Sequence, residues 1–160
     1  MSIVITDANI FIDLDYMKLI DDFFSLGFEI HTTSPVLMEL TQELGLKLKR
    51  NELTVINIDE EISERMGKLK FSKAFSYTDT TILAIAYMNN YTLLTGEGLM
   101  RKWGEKNNVE VHGILYILDQ FVLGGLRTSF AIADSLEKLQ LYNLWLPRKE
   151  CSTYIKKWRL

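Results

Sequence analysis

The chain lacks the cysteines of a disulfide scaffold: Cys151 is the only one in 160 residues. It also lacks a basic segment followed by an apolar one near its start, so a cytoplasmic protein without a secretory leader is expected. No apolar run approaches the ~18 residues a membrane-spanning helix requires, and no membrane partner is expected. No repeat, low-complexity tract or linker-like stretch divides the sequence. Strong charge of one sign is missing too, and a net charge of −3 would not by itself suggest a polyanion ligand.

What is present suits a soluble globular domain, with 48% apolar and 24% charged residues. A chain of this length can bury roughly two-thirds of the surface it exposes when unfolded, without disulfide or structural metal. One domain over residues 1–160 is expected. The charge is unevenly spread: residues 1–43 hold eight acids and one base, Lys18, whereas residues 44–160 hold thirteen acids and seventeen bases. An acidic pole beside a mildly basic remainder suits a divalent metal in one place and a polyanion in another.

Hydrophobic spacing predicts alternating elements. Residues 3–5 read as a strand, 9–26 as one or two helices ending at Gly27, and 28–32 as a second strand. Ser34-Pro35 predicts a capped helix start, with a helix over 35–49 burying Leu37, Leu40, Leu44 and Leu48 on one stripe. A strand over 53–58 follows, then a helix over 59–70 with acids first and Lys68 and Lys70 last, matching the helix dipole. A loop (71–78), a helix (81–87), a strand (92–95), a helix from Gly98, a strand (109–111) and a helix (114–123) complete the alternation. Connections too long for hairpins imply parallel strands in a three-layer α/β/α sandwich with a five-stranded sheet. Residues 126–160 form a helical appendage on the 1–125 core, interrupted at Pro147.

Four acids take comparable places in this scheme: Asp7 after the first strand, Glu39 in the helix after the second, and Asp79 and Glu97 on either side of the fourth. If the first and fourth strands adjoin where the sheet order reverses, Asp7, Asp79 and Glu97 open into one crevice that Glu39 can reach. Clustered carboxylates need a cation, and hard oxygen ligands select Mg²⁺ or Mn²⁺. The chemistry such a site supports is hydrolysis of a phosphodiester by metal-activated water. Each acid also has a plain structural role: Asp7 as a helix cap, Asp79 in a capping box with Ser76, Glu39 on a solvated stripe with Glu43, and Glu97 as a turn acid. No one of them is diagnostic; their order and placement together are.

These segments resemble the PIN-domain family of metal-dependent nucleases, including its VapC-like toxin branch. The likeness rests on Ile3-Val4-Ile5-Thr6-Asp7-Ala8-Asn9, Ser34-Pro35-Val36-Leu37-Met38-Glu39-Leu40, the run from Asp79 to Ala86, the run from Leu93 to Arg101, and Val109 to Gly113. The resemblance implies a Mg²⁺ or Mn²⁺ site made by Asp7, Glu39, Asp79 and Glu97, and endonucleolytic cleavage of RNA. It implies supporting or substrate contacts from Asn9 and Thr95, a homodimer, and, for a toxin, a small antitoxin partner. One departure is Glu97, where the family more often has aspartate.

Lys73, Tyr77, Arg101 and Lys102 flank the acids and are candidates for meeting phosphate or stacking a base, with solvated surface as the competing reading. Arg148, Lys149, Lys156, Lys157 and Arg159 make the tail basic, as an RNA track or for solubility. His31 and His112, placed at strand ends, fit structural rings better than general bases, and Cys151 reads as inert. Asp13 and Asp15 read as helix-surface charges. The competing functions are a non-catalytic RNA-binding PIN-like module and a receiver-like signalling domain. The second is disfavoured because His112-Gly113 occupies the place where a receiver needs lysine.

Overall fold

The computed structural model describes residues 2–160. Five strands, β1 (Ile3–Thr6), β2 (Glu29–Thr33), β3 (Thr54–Ile56), β4 (Thr92–Leu94) and β5 (Val111–His112), form one sheet in the order β3-β2-β1-β4-β5. All pairings are parallel, with Ile5 opposite His31 on one side and Leu93 on the other. The chain winds outward from β1 to β3 and then returns to place β4 on β1's other edge. That reversal is the switch point at which open α/β sheets gather ligands, at the carboxyl ends of the strands.

Helices α1 (Ala8–Tyr16), α2 (Ile20–Phe23), α3 (Ser34–Glu39), α4 (Gln42–Arg50) and α5 (Glu60–Met66) connect the first part of the sheet, and α6 (Tyr77–Asn89), α7 (Gly98–Lys106) and α8 (Ile114–Leu123) the second. The expected α/β sandwich is what the chain forms. Strand β1 is buried along Val4, Ile5 and Thr6, as a central parallel strand covered on both faces must be. Helix α6 packs against β1, β2 and β4, with an unbroken buried run from Thr81 to Ala86. It stops at Asn90, whose left-handed backbone (φ 55) turns the chain back toward β4.

The helix expected over 35–49 is two helices. Leu40 and Thr41 are extended (ψ 156 and 153), and the Thr41 hydroxyl accepts a hydrogen bond from the Leu44 N–H at 3.2 Å. A good N-cap inside the apolar stripe ended one helix and began the next. Ser34 is not the cap expected of it. Thr33 takes the cap position, and its hydroxyl pairs with that of Thr81 at 2.9 Å. Helix α5 ends at Met66, so Lys68 and Lys70 lie beyond it; Asp59 caps its start through the Ile62 N–H at 2.8 Å.

The tail forms α9 (Ser129–Tyr142) and α10 (Arg148–Trp158), packed on each other, with α9 against α8. Ile132, Leu136, Leu139, Cys151 and Trp158 are buried in one apolar cluster with Leu14, Phe121 and the sheet residues. No helix among the described residues is long and apolar enough to cross a membrane.

Candidate active site

Asp7 leaves the end of β1 and caps α1, its extended backbone (φ −79, ψ 172) aiming the carboxylate back at the helix. Oδ1 accepts from the Ile10 N–H at 3.0 Å and Oδ2 from the Thr95 hydroxyl at 2.5 Å. The Asp7 N–H donates to Leu94 O at 3.2 Å, prolonging the β1–β4 ladder into the crevice. Thr95 Oγ1 in turn accepts from the Glu97 N–H at 3.1 Å. The plain capping role of Asp7 is therefore present, and it uses only one oxygen. The other faces the neighbouring strand's end.

Only 4% of Asp7 is exposed, and burial pushes its carboxyl up to about 6. The Thr95 and Ile10 hydrogen bonds oppose this, while the carboxylates of Glu97 and Asp13 raise it further. The charges that act on Asp7 are thus negative. Glu97 is exposed and stands at the N-cap of α7 without using its side chain as a cap.

Asp79 completes a capping box, its Oδ2 accepting from the Ser76 N–H and its own N–H donating to Ser76 Oγ, both at 3.1 Å. The Thr33–Thr81 hydrogen bond ties the next turn of α6 to the carboxyl end of β2. Glu39 is exposed as the last residue of α3, a helix packed against both α1 and α6. The structure brings Asp7, Thr95 and Glu97 into direct relation, with Asp79 and Glu39 on surrounding helices. Among the described residues, no three His, Cys, Asp or Glu side chains are gathered closely enough to hold one ion.

Asn9 is exposed in the first turn of α1, and Lys73, Tyr77 and Lys102 are exposed as well. Arg101 is half-buried, with its guanidinium 3.5 Å from Val111 O at the start of β5. The loop before α6 is pinned by Trp103, whose Nε1 donates to Lys70 O at 3.0 Å and whose ring stacks on Phe71. His31 lies within β2, not at its end, buried with Nε2 at 2.9 Å from Glu29 Oε1. His112 stacks on Tyr116 at 3.8 Å between centroids.

One titratable group beside the site departs from its expected place. Asp13, expected on the surface, is 5% exposed, and the Asn143 side-chain amide donates to both of its oxygens at 3.2 and 3.1 Å. Burial raises its carboxyl to about 6 despite that hydrogen bond. The available signal was its position three residues after Ile10, on the same helical stripe. Asn143, 130 residues away, gave none. Asp15, by contrast, is the surface charge expected, paired with Lys47 at 2.9 Å.

The chain is similar in fold to two solved proteins. A PilT N-terminus domain protein from the hyperthermophilic archaeon Sulfolobus solfataricus P2 aligns with TM-score 0.53 at 8% identity, covering 73% of this chain and 91% of that one. VapBC2 from Rickettsia felis, solved bound to a DNA fragment from its promoter, aligns with TM-score 0.51 at 18% identity, covering 69% and 98%. No curated protein sequence matches significantly. The sequence model of the PIN-domain family DUF3368 matches residues 3–159, extending through the tail helices that the motif resemblance did not reach. By that match over nearly its whole length, the chain belongs to the PIN-domain family DUF3368.

Proposed function

We propose that this chain is a divalent-metal-dependent endoribonuclease that hydrolyses RNA phosphodiester bonds with an activated water. The observation that carries the proposal is Asp7: a carboxylate at the sheet's switch point, buried, hydrogen-bonded to Thr95, with the acids Glu97 and Asp13 as the charged groups that act on it. A buried acid whose charged neighbours are acids is a poor resting arrangement without a cation. Its oxygen donors suit Mg²⁺ or Mn²⁺. PIN domains are generally nucleases, and family membership points the same way.

Asp7 and Glu97 would hold the ion, with Asp79 and Glu39 closing the site from α6 and α3. When bound, the ion supplies a water of lowered pKa and neutralises charge on the phosphoryl oxygens. Thr95 holds Asp7 in one rotamer and, through the Glu97 N–H, fixes the turn carrying the second acid. Ile10's amide fixes the other Asp7 oxygen. Asp79 must loosen its capping bond to Ser76 or share its second oxygen to join the set. A small antitoxin partner, toward which the likeness to VapBC2 points, and a homodimer extend the proposal.

The alternative, a non-catalytic RNA-binding PIN-like module, draws on the spacing of the acids, no three of which are gathered among the described residues. Induced expression of wild type and Asp7→Asn, followed by mapping of cellular RNA ends, decides between them. New ends that appear with wild type and vanish with the variant support the nuclease; identical end maps support the binding module.

A further inference from the structure

The corner between α9 and α10 has a construction that the acidic crevice does not explain. Trp145 is 96% exposed, yet its backbone is fixed: its N–H donates to Asn143 Oδ1 at 3.0 Å, while the Asn143 amide grips the buried Asp13 carboxylate. Tyr142, beside it, stacks on Tyr16 of α1 with centroids 4.2 Å apart. An indole held at its root and bare over its faces is arranged for stacking by something outside the chain.

The basic residues of α10 and its C-cap divide into two sets. Lys157 pairs with Asp119, and Arg159 with Asp134 and Glu137. Arg148, Lys149 and Lys156 are exposed and, among the described residues, make no ion pair. Lys149 and Lys156 are seven residues apart, two helical turns, and so share the outer face of α10, opposite the buried Cys151 and Trp158. Arg148 and Lys149 also sit in the first turn, where helix amides already favour anions; Glu150 is the acid there. Glu150 leaves the exposed face with a positive balance.

We infer that Trp145 together with Arg148, Lys149 and Lys156 forms a secondary binding track for single-stranded RNA, stacking one base on the indole and meeting the following phosphates along α10. This rests on the nuclease reading above and adds where the strand is held outside the cut. An exposed aromatic ring a few residues from unpaired cations, two of which share one helix face, is a combination that binds single strands without reading their sequence. The corner is tied to α1 through the Asn143–Asp13 hydrogen bonds, and Asp13 lies six residues, about 9 Å of helix, beyond Asp7.

The test is fluorescence anisotropy of a labelled uridine-rich oligoribonucleotide with the full chain in EDTA, so that no cleavage is involved. Trp145→Ala is expected to weaken binding about 5- to 100-fold. Lys149→Gln with Lys156→Gln is expected to lower the slope of log affinity against log salt by about 1.4, two released counterions on a single strand. Unchanged affinity and salt slope in these variants overturn the track. So does a shift of Trp145→Ala from dimer to monomer in sedimentation without loss of RNA affinity, which would make this corner, with exposed Leu141 and Leu144 nearby, a contact between copies. The two proposals fail separately: a chain that cleaves RNA but whose tail variants bind normally loses only the track. A chain whose tail variants lose binding but which cleaves nothing with Mg²⁺ or Mn²⁺ loses only the nuclease reading.

Discussion

At Asp7 one carboxylate caps a helix and receives the Thr95 hydroxyl, and burial holds it partly protonated near pH 6 in the metal-free protein. Asp13 is raised to about the same value by burial. Both acids keep their proton in the folded state over a range where the unfolded chain has lost it. Their contribution to stability is therefore full below about pH 4 and lost as pH rises through about 6. Chemical denaturation of metal-free protein at pH 5 and pH 8 is expected to show lower stability at pH 8. Asp7→Asn is expected to flatten that slope and to stabilise the metal-free fold at pH 8 by on the order of 1–3 kcal/mol. An Asp7→Asn chain less stable than wild type at pH 8 would contradict the account of this residue. Thr95→Val removes the donor to Oδ2 while keeping the shape, and a 10- to 100-fold loss of cleavage rate or metal affinity is expected, by analogy with outer-shell substitutions.

Among the elements, α7 shows how closely the second half of the sheet is covered. A Cβ built on Gly104 would lie 2.6 Å from Val111 Cγ2, so the helix sits directly on β5. Gly104→Ala is expected to destabilise by about 1–3 kcal/mol through overpacking, read as a drop in Tm; an unchanged Tm would mean the contact relaxes freely. Most elements were legible because their apolar runs are strong, as in the unbroken buried run of α6 and the consecutive apolar residues of β1. The break between α3 and α4 was not: Leu37, Leu40, Leu44 and Leu48 continue one stripe across it, and only Thr41 marks the boundary. Of the site, the order of Asp7, Thr95 and Glu97 could be read because parallel neighbours bring their carboxyl ends together. The Asp13–Asn143 clamp could not, since it depends on how the tail folds back onto α1.

On the scale of the whole molecule, the tail belongs to the core as much as to the surface. Ile132, Leu136, Leu139 and Trp158 share the cluster that contains Leu14 and Phe121. A chain ending at Gly125 would expose that apolar surface and leave Asp13 buried or bare without its amide partner. Such a truncation is expected to be insoluble or to lose cooperative unfolding; a soluble, sharply melting 1–125 fragment would show the tail to be dispensable. The central claim, that the carboxyl edge of this sheet is a metal-dependent ribonuclease site, is tested most directly on purified protein. End-labelled single-stranded RNA would be incubated with wild type and with Asp7→Asn, each in Mn²⁺, in Mg²⁺ and in EDTA. The account predicts cleavage by wild type with metal alone and none by Asp7→Asn under any condition. Equal cleavage by both proteins, or cleavage by wild type that persists in EDTA, would contradict it.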